Sequence, residues 1–266
     1  MANKFSSAFE VAVNADKGVK EVFSDFLIKV YDGTPPTTAD AAKSGNLLAQ
    51  FTKGGATLTG TASTRQEAQV VVVRGSTGDT AIFTFSTPSV VVTYAQVAGD
   101  STDDLLVTSI CAAINADTTA NKVVEAIPVV GAAVTEAIVL LRARYPGEPF
   151  VVVVTKTGTL AVTTTDITAN VRINTLHFDN PNADGDLVNE AAYTWNATGL
   201  VAGTATYFRV VQPTDTGVAV TITEPRIQGN IATAGAEINL QPSAQIVVGQ
   251  PLTISEYKVS ISRTVA

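Results

Sequence analysis

Residues 26–52 read FLIKVYDGTPPTTADAAKSGNLLAQFT: a strand-like run, a long polar loop, then a second short apolar run. In LIKVY, residues Leu27, Lys29 and Tyr31 fall on one face and Ile28 and Val30 on the other, the alternation of a pleated strand. The loop TPPTTADAAKSG is led by Pro35 and Pro36, which cannot donate to a ladder, and NLLAQFT then returns to strand. Two strands do not make a stable sheet, so their partners must lie elsewhere. They are expected after residue 170, where VRINTLHF, EAAYTWNATG, TATYFRVVQP, AVTITEPRIQG and AEINLQPSAQIVVGQPLTISEYKVSIS follow one another. These runs, spaced by turn signals about every ten residues, are the pattern of an antiparallel sandwich or barrel. In TATYFRVVQ, Tyr207, Arg209 and Val211 alternate with Phe208 and Val210. In LTISEYKVSIS the apolar phase changes from Leu252 and Ile254 to Tyr257, Val259 and Ile261, which predicts a bulge near Ser255.

The texture differs between these two regions. From Ala62 the order reads strand, turn, strand, strand, helix, strand, strand, strand. The helix lies in STDDLLVTSICAAINAD, with Asp100 or Ser101 as cap and Asp103 and Asp104 in the first turn, where the macrodipole favours anions. Leu106, Ile110, Ala113 and Ile114 form its apolar stripe, and Asn115 or Asp117 ends it. An earlier helix is predicted in SAFEVAVNADKGVKEVFSDF, capped by Ser6 or Ser7 and broken at Gly18. Its apolar face would hold Ala8, Val11, Ala12, Ala15, Val19, Val22 and Phe26. Because domain termini usually lie close together, a central module can be spliced into a surface turn of an outer domain. The expected fold is therefore mainly β: an antiparallel β-sandwich outer domain, residues 1–61 plus 170–266, with an inserted α+β module, residues 62–169.

Of 266 residues 45% are hydrophobic, enough for a buried core, and only 15% are charged, so Thr, Ser, Asn and Gln must cover much of the surface. The net charge of −7 and the absence of any Lys/Arg cluster argue against nucleic-acid binding, which needs grouped cations at phosphates. Neither a signal-peptide core at the amino terminus nor a membrane-length apolar run is present, so no membrane role and residence in a cytoplasm are expected. A single cysteine, Cys111, excludes an internal disulfide and a multi-cysteine zinc site, and its helical setting reads as a core position.

The chemical motifs are weak. NPNADGDLVNE places Asn180, Asn182, Asp184 and Gly185 as the first half of a calcium loop would. Its first position is Asn, however, position twelve falls on Ala191, and Glu190 comes one residue early. A polar turn is the preferred reading of Asn180 to Glu190, with bound calcium as the alternative. His177, the only histidine, reads as a strand residue and has no nucleophile-elbow setting nearby for triad chemistry. Asp103 and Asp104 are explained by helix capping. The glycine clusters KGG and VAGDST lack the following Lys-Ser/Thr of a phosphate loop. Trp195, Tyr193 and Tyr207 could form a sugar-stacking platform, but alternation assigns some of them to the core. The NAT sequon at 196–198 matters only in a secreted eukaryotic protein. No catalytic, cofactor-binding or metal-binding residue is assigned, no cofactor is expected, and the chain is read as a non-enzyme.

The stretch FLIKVYDGTPPTTADAAKSGNLLAQFT, joined across the gap to GLVAGTATYFRVVQPTD and RIQGNIATAGAEINLQPSAQIVVGQPLTISEYKVSI, resembles small β-rich virion proteins of tailed bacteriophages. The central VTYAQVAGDSTDDLLVTSICAAINAD with AIVLLRARYPGEPFVVVVTKTGTLAVTTT is similar to a strand-helix-strand unit of phage tail sheath and other virion proteins. The resemblance implies a structural virion component made in the bacterial host cytoplasm: a capsid decoration, neck or collar, or tail-associated protein. Its implied partners are other virion subunits and further copies of itself, with no nucleic acid and no membrane. Gly33 to Asn46 would drape over a neighbouring subunit. The alternative the resemblance allows is a carbohydrate- or receptor-binding adsorption module.

Overall fold

The computed structural model describes residues 3–15, 18–86, 89–131, 136–179, 186–191, 193–240, 243–254 and 257–259. The chain opens with β1 (Lys4–Phe5), α1 (Ser7–Asn14), α2 (Val19–Val22), β2 (Leu27–Tyr31) and β3 (Leu47–Lys53). Next come β4 (Glu67–Val73), β5 (Thr80–Ser86), β6 (Ser89–Ala95), α3 (Asp103–Ala116), β7 (Val124–Val129), β8 (Ile138–Ala143), β9 (Val152–Lys156) and β10 (Ala161–Thr168). The rest comprises β11 (Leu187–Val188), β12 (Trp195–Thr198), β13 (Gly203–Thr204), β14 (Tyr207–Val211), β15 (Arg226–Ala232), β16 (Ile238–Asn239), β17 (Gln245–Ile246), β18 (Pro251–Ile254) and β19 (Lys258–Val259). The fold is mainly β and sandwich-like, built from antiparallel sheets; only β15 with β16 pairs parallel among the described strands. By internal packing the chain forms two compact units, residues 1–62 with 173–266, and residues 63–172.

The first unit is built on one sheet of order β1-β15-β14-β2-β3-β12-β18. Strand β2 finds its partner beyond residue 200, with Leu27 opposite Val211 and Tyr31 opposite Tyr207. One face carries Ile28, Val30, Ala49, Phe51, Phe208, Val210 and Ile227 into a core with Phe26, Phe178, Trp195 and Tyr257. Phe26 stacks on Phe178 at 4.5 Å and meets Trp195 edge-on at 5.3 Å, geometries that add to simple burial. The ribbons β11-β19 and β13-β17 contribute Leu187, Val259 and Ile246 to the same core.

Some local expectations hold and others change here. Ser6 caps α1 by accepting from Phe9 N, and Gly18 begins the separate α2. The buried residue of α1 is Phe9, not its neighbours, because its ring stacks between Phe5 and Phe23, while Val11 stays exposed. Residues 171–178, expected as a strand, make only single bridges: Val171 to Thr64, Leu176 to Phe26 and Phe178 to Asn189. Their hydrogen bonds go to three different neighbours, so no ladder propagates. Residues 219–224 are likewise not a strand. The last strand pairs in two pieces, β18 with β12 and β19 with β11, and the expected bulge at Ser255 lies outside the described residues.

In the second unit β10-β4-β8-β7 form one sheet and β6-β5-β9 another, giving four strands after the helix where three were expected. Helix α3 buries Leu106, Val107, Ile110, Cys111 and Ile114. Its cap is Thr102, whose hydroxyl accepts from Leu105 N, rather than Asp100 or Ser101. Asp100 is occupied elsewhere, accepting from Tyr94 Oη, Val97 N and Ser109 Oγ. Asp117 ends the helix as its C-cap, and Asn115 in the last turn ties it to β7 by bonding both the N–H and the carbonyl of Ala126, as a neighbouring strand would. Thr64 and Val171, near the ends of this unit, bond each other's backbone.

Candidate functional site

The registers of the large sheet place five polar side chains in one row across five strands: Lys4, Gln228, Arg209, Lys29 and Gln50. Directly opposed residues share a face, so this row lies on the side of the sheet opposite the apolar core. Flanking rows add Tyr31 with Tyr207, whose rings stack at 5.1 Å, and Leu27, Val211 and Arg226. A polar sheet face ordinarily meets water. Here Arg209 is 0% exposed, Arg226 1% and Gln228 2%, and β2 and β14 are buried on both faces.

Two loops cover that face, residues 32–46 and 212–225. Arg226 holds both: Nε and Nη2 bond the Asp215 carboxylate at 2.6 and 2.8 Å, and the guanidinium also donates to the carbonyls of Ala39, Asp40, Ala41 and Ala219. Gln228 Nε2 donates to Pro36 O at 2.8 Å, and Lys4 Nζ reaches the same carbonyl at 3.1 Å. The Tyr207 hydroxyl accepts from Ser44 N and donates to Ser44 O. Asp40 receives Ser7 N and Oγ, so the start of α1 is fastened to the loop as well. The Pro/Thr/Ala loop is thus docked on its own sheet. The reason is that Arg226 needs acceptors once buried, and the carbonyls of residues 39–41 supply them.

Burial shapes the electrostatics. Desolvation pushes the Asp215 carboxyl up, but the Arg226 hydrogen bonds, the Gly217 amide and the charges of Arg226 and Lys29 outweigh it, leaving Asp215 below its ordinary value. Desolvation lowers Lys29, with Asp215 opposing and Arg226 adding to the effect. Lys29 Nζ donates to Asp215 O at 2.5 Å. Desolvation also lowers Arg209 and raises Tyr31. Arg209 Nε donates to Gln228 Oε1 at 3.0 Å, whereas its Nη1 and Nη2 donate to no protein acceptor.

The residues singled out from sequence do not converge. Trp195 and Tyr207 are buried, while Tyr193 is at the surface with Lys53 Nζ 3.4 Å from its ring centroid, so no three-ring platform forms. His177 is interior, with Nε2 3.2 Å from Asp25 Oδ1 and 3.3 Å from Thr175 Oγ1, and Thr175 Oγ1 donates to the same carboxylate oxygen. Two members of that trio are interior: Thr175 is 0% and His177 2% exposed. Burial pushes the Cys111 thiol up to about 12. Asp103 Oδ1 accepts from Arg74 N, tying the helix start to the end of β4. Residues 180–185 of the calcium-like segment lie outside the described residues. Among the described residues no three His, Cys, Asp or Glu come together as metal ligands, and no helix is long and apolar enough to cross a membrane.

On the same polar face, an open cleft of about 310 Å³ is lined by Gln50, Thr52, Thr57, Leu58, Thr198 and Leu200, with no charged group. The buried charge cluster was missed in the sequence, although a signal exists. Lys29 and Arg209 each sit at the centre of a five-residue apolar strand, LIKVY and YFRVV, which marks a charge that the fold must cover. No protein-family model matches the chain, and no curated protein matches it significantly.

Proposed function

We propose that this protein is a structural subunit of a tailed-bacteriophage particle, a capsid decoration, neck or collar, or tail-associated protein, working by packing against other virion subunits and copies of itself. The observation that carries the reading is a run of aliphatic side chains left in water: Val218 at 63%, Val220 at 71% and Ile222 at 71% exposed. They sit on alternate residues of a loop pinned from beneath, where Thr221 N donates to Asp40 O and Arg226 donates to Ala219 O. Leu200, Val201, Val247 and Val248 form a second exposed aliphatic group, brought together by the bond from Gly249 N to Gly199 O. Apolar surface held on a fixed backbone in a charge-poor chain suits repeated subunit contacts. In this reading the second unit, residues 63–172, is a module inserted into the first.

Mass spectrometry of purified particles tests the reading; the chain should be present at a copy number fitting particle symmetry, and its absence would remove the proposal. The double change Val220→Asp with Ile222→Asp should lower incorporation into particles while leaving the melting temperature of the free protein within about 2 °C, because these exposed side chains pack on little of their own chain.

A further inference from the structure

Arg209 presents a problem that the rest of the fold does not solve. Its guanidinium is fully closed from solvent, yet only Nε has a protein acceptor, and Nη1 and Nη2 have none. A buried donor without a partner is destabilising, and more so when it is charged. The neighbourhood deepens the imbalance. Lys29 is directly opposite Arg209 on β2, and Arg226 is on the adjoining strand. Among the described residues Asp215 is the one buried carboxylate bonded into this cluster, and Arg226 takes both its oxygens while Lys29 takes its backbone carbonyl. Three buried cations thus face one carboxylate whose acceptors are already engaged. Gln228 is committed to Arg209 and Pro36 and the Tyr207 hydroxyl to Ser44, and the aromatic partner of the guanidinium, the Tyr207 ring 6.0 Å away, offers a face and no in-plane acceptor for Nη1 and Nη2.

We propose that Arg209 holds a small inorganic anion of chloride size through Nη1 and Nη2, beneath the docked 33–46 loop, as an internal counter-ion to Arg209, Lys29 and Arg226. An anion satisfies both orphaned donors and offsets the buried positive charge in one step. The complete enclosure of Arg209 selects a small ion over a large one. Because it binds the folded chain, the ion stabilises it by mass action and helps to fix the loop.

The test is a pair of thermal melts of the full chain at matched ionic strength, one titrated with sodium chloride and one with sodium gluconate, whose anion is too large for an enclosed site. The expected result is a saturating rise in Tm of about 2–4 °C in chloride beyond any change in gluconate; superimposable curves would overturn the proposal. Crystals grown in sodium bromide provide the second measurement. An anomalous peak beside Arg209 Nη1 and Nη2 supports the site, and no peak there refutes it, without requiring that any variant fold. Where Arg209→Met folds, its chloride and gluconate curves should coincide, and a chloride-specific rise that persists in it would count against Arg209 as the ligand.

Discussion

Arg226 is the residue on which the polar half of the first unit depends. It is 1% exposed, pairs with Asp215 and donates to four backbone carbonyls across two loops. Removing one partner of a buried pair strands the other, so Arg226→Met should cost about 3–5 kcal/mol, read from urea unfolding. The acid dependence has a definite sign. Asp215 is held below its ordinary value, so its contribution is present above the unfolded carboxylate pKa of about 3.9 and is lost as pH falls through the lower folded value. Asp79 and Asp117 are lowered as well, Asp79 first by the Ser76 amide and Asp117 first by the Ala120 amide, so the wild-type loss on acidification is shared. The urea midpoint should fall as pH drops below about 4 in both proteins, and by less in Asp215→Asn, which no longer has this carboxylate to protonate. Equal acid limbs would show that Asp215 does not set them.

At the scale of elements, the 33–46 loop behaves as a covering layer, and its geometry depends on one turn. Gly45 sits at φ +70°, and a Cβ there would lie 2.2 Å from Asp32 O and Oδ1. Asp32 is the acceptor for Asn46 N and Nδ2, so the clash falls on the bonds that close the loop. Gly45→Ala should therefore destabilise on the order of 1–3 kcal/mol and speed proteolytic cleavage within residues 33–46. Gly18→Ala is the control: no atom comes within 4 Å of its Cβ, and cleavage of the loop should not change. Helix α3 shows the opposite case, an element legible almost entirely from sequence. Of its expected stripe Leu106, Ile110 and Ile114 are buried and Ala113 is half-buried, with Val107 and Cys111 completing the face, because a 3.6-residue period fixes which side chains share a side. Only the cap shifted, to Thr102, since Asp100 is used by Tyr94, Val97 and Ser109. Residues 171–178 mark the limit of such reading: alternation was present, but their backbone partners are Thr64, Phe26 and Asn189 in succession. Periodicity says nothing about whether successive residues face the same neighbour.

For the whole molecule, the two compact units call for a physical test of independence. The second unit has its own core around Phe83, Phe85, Leu106, Ile110 and Leu141, and Thr64 bonds Val171 near its two ends. A fragment of residues 63–172 should unfold cooperatively in urea on its own, with near-native helix signal by circular dichroism. A non-cooperative transition would mean that this core needs the first unit. The sequence by itself determined the strand alternation of LIKVY and YFRVV, the apolar stripe of α3, and the loop between β2 and β3, since these follow from neighbouring residues and the pleat or helix period. It also required that β2 find a partner elsewhere, because a two-stranded sheet cannot stand alone. Only the tertiary structure decided that the partner is Tyr207–Val211, that the loop lies on its own sheet, and that Lys29, Arg209 and Arg226 are interior. Alternation assigns side chains to a face but not what covers it; that cover is made by contacts such as Arg226 with Ala39, 187 residues apart, which exist only once the sheet has formed.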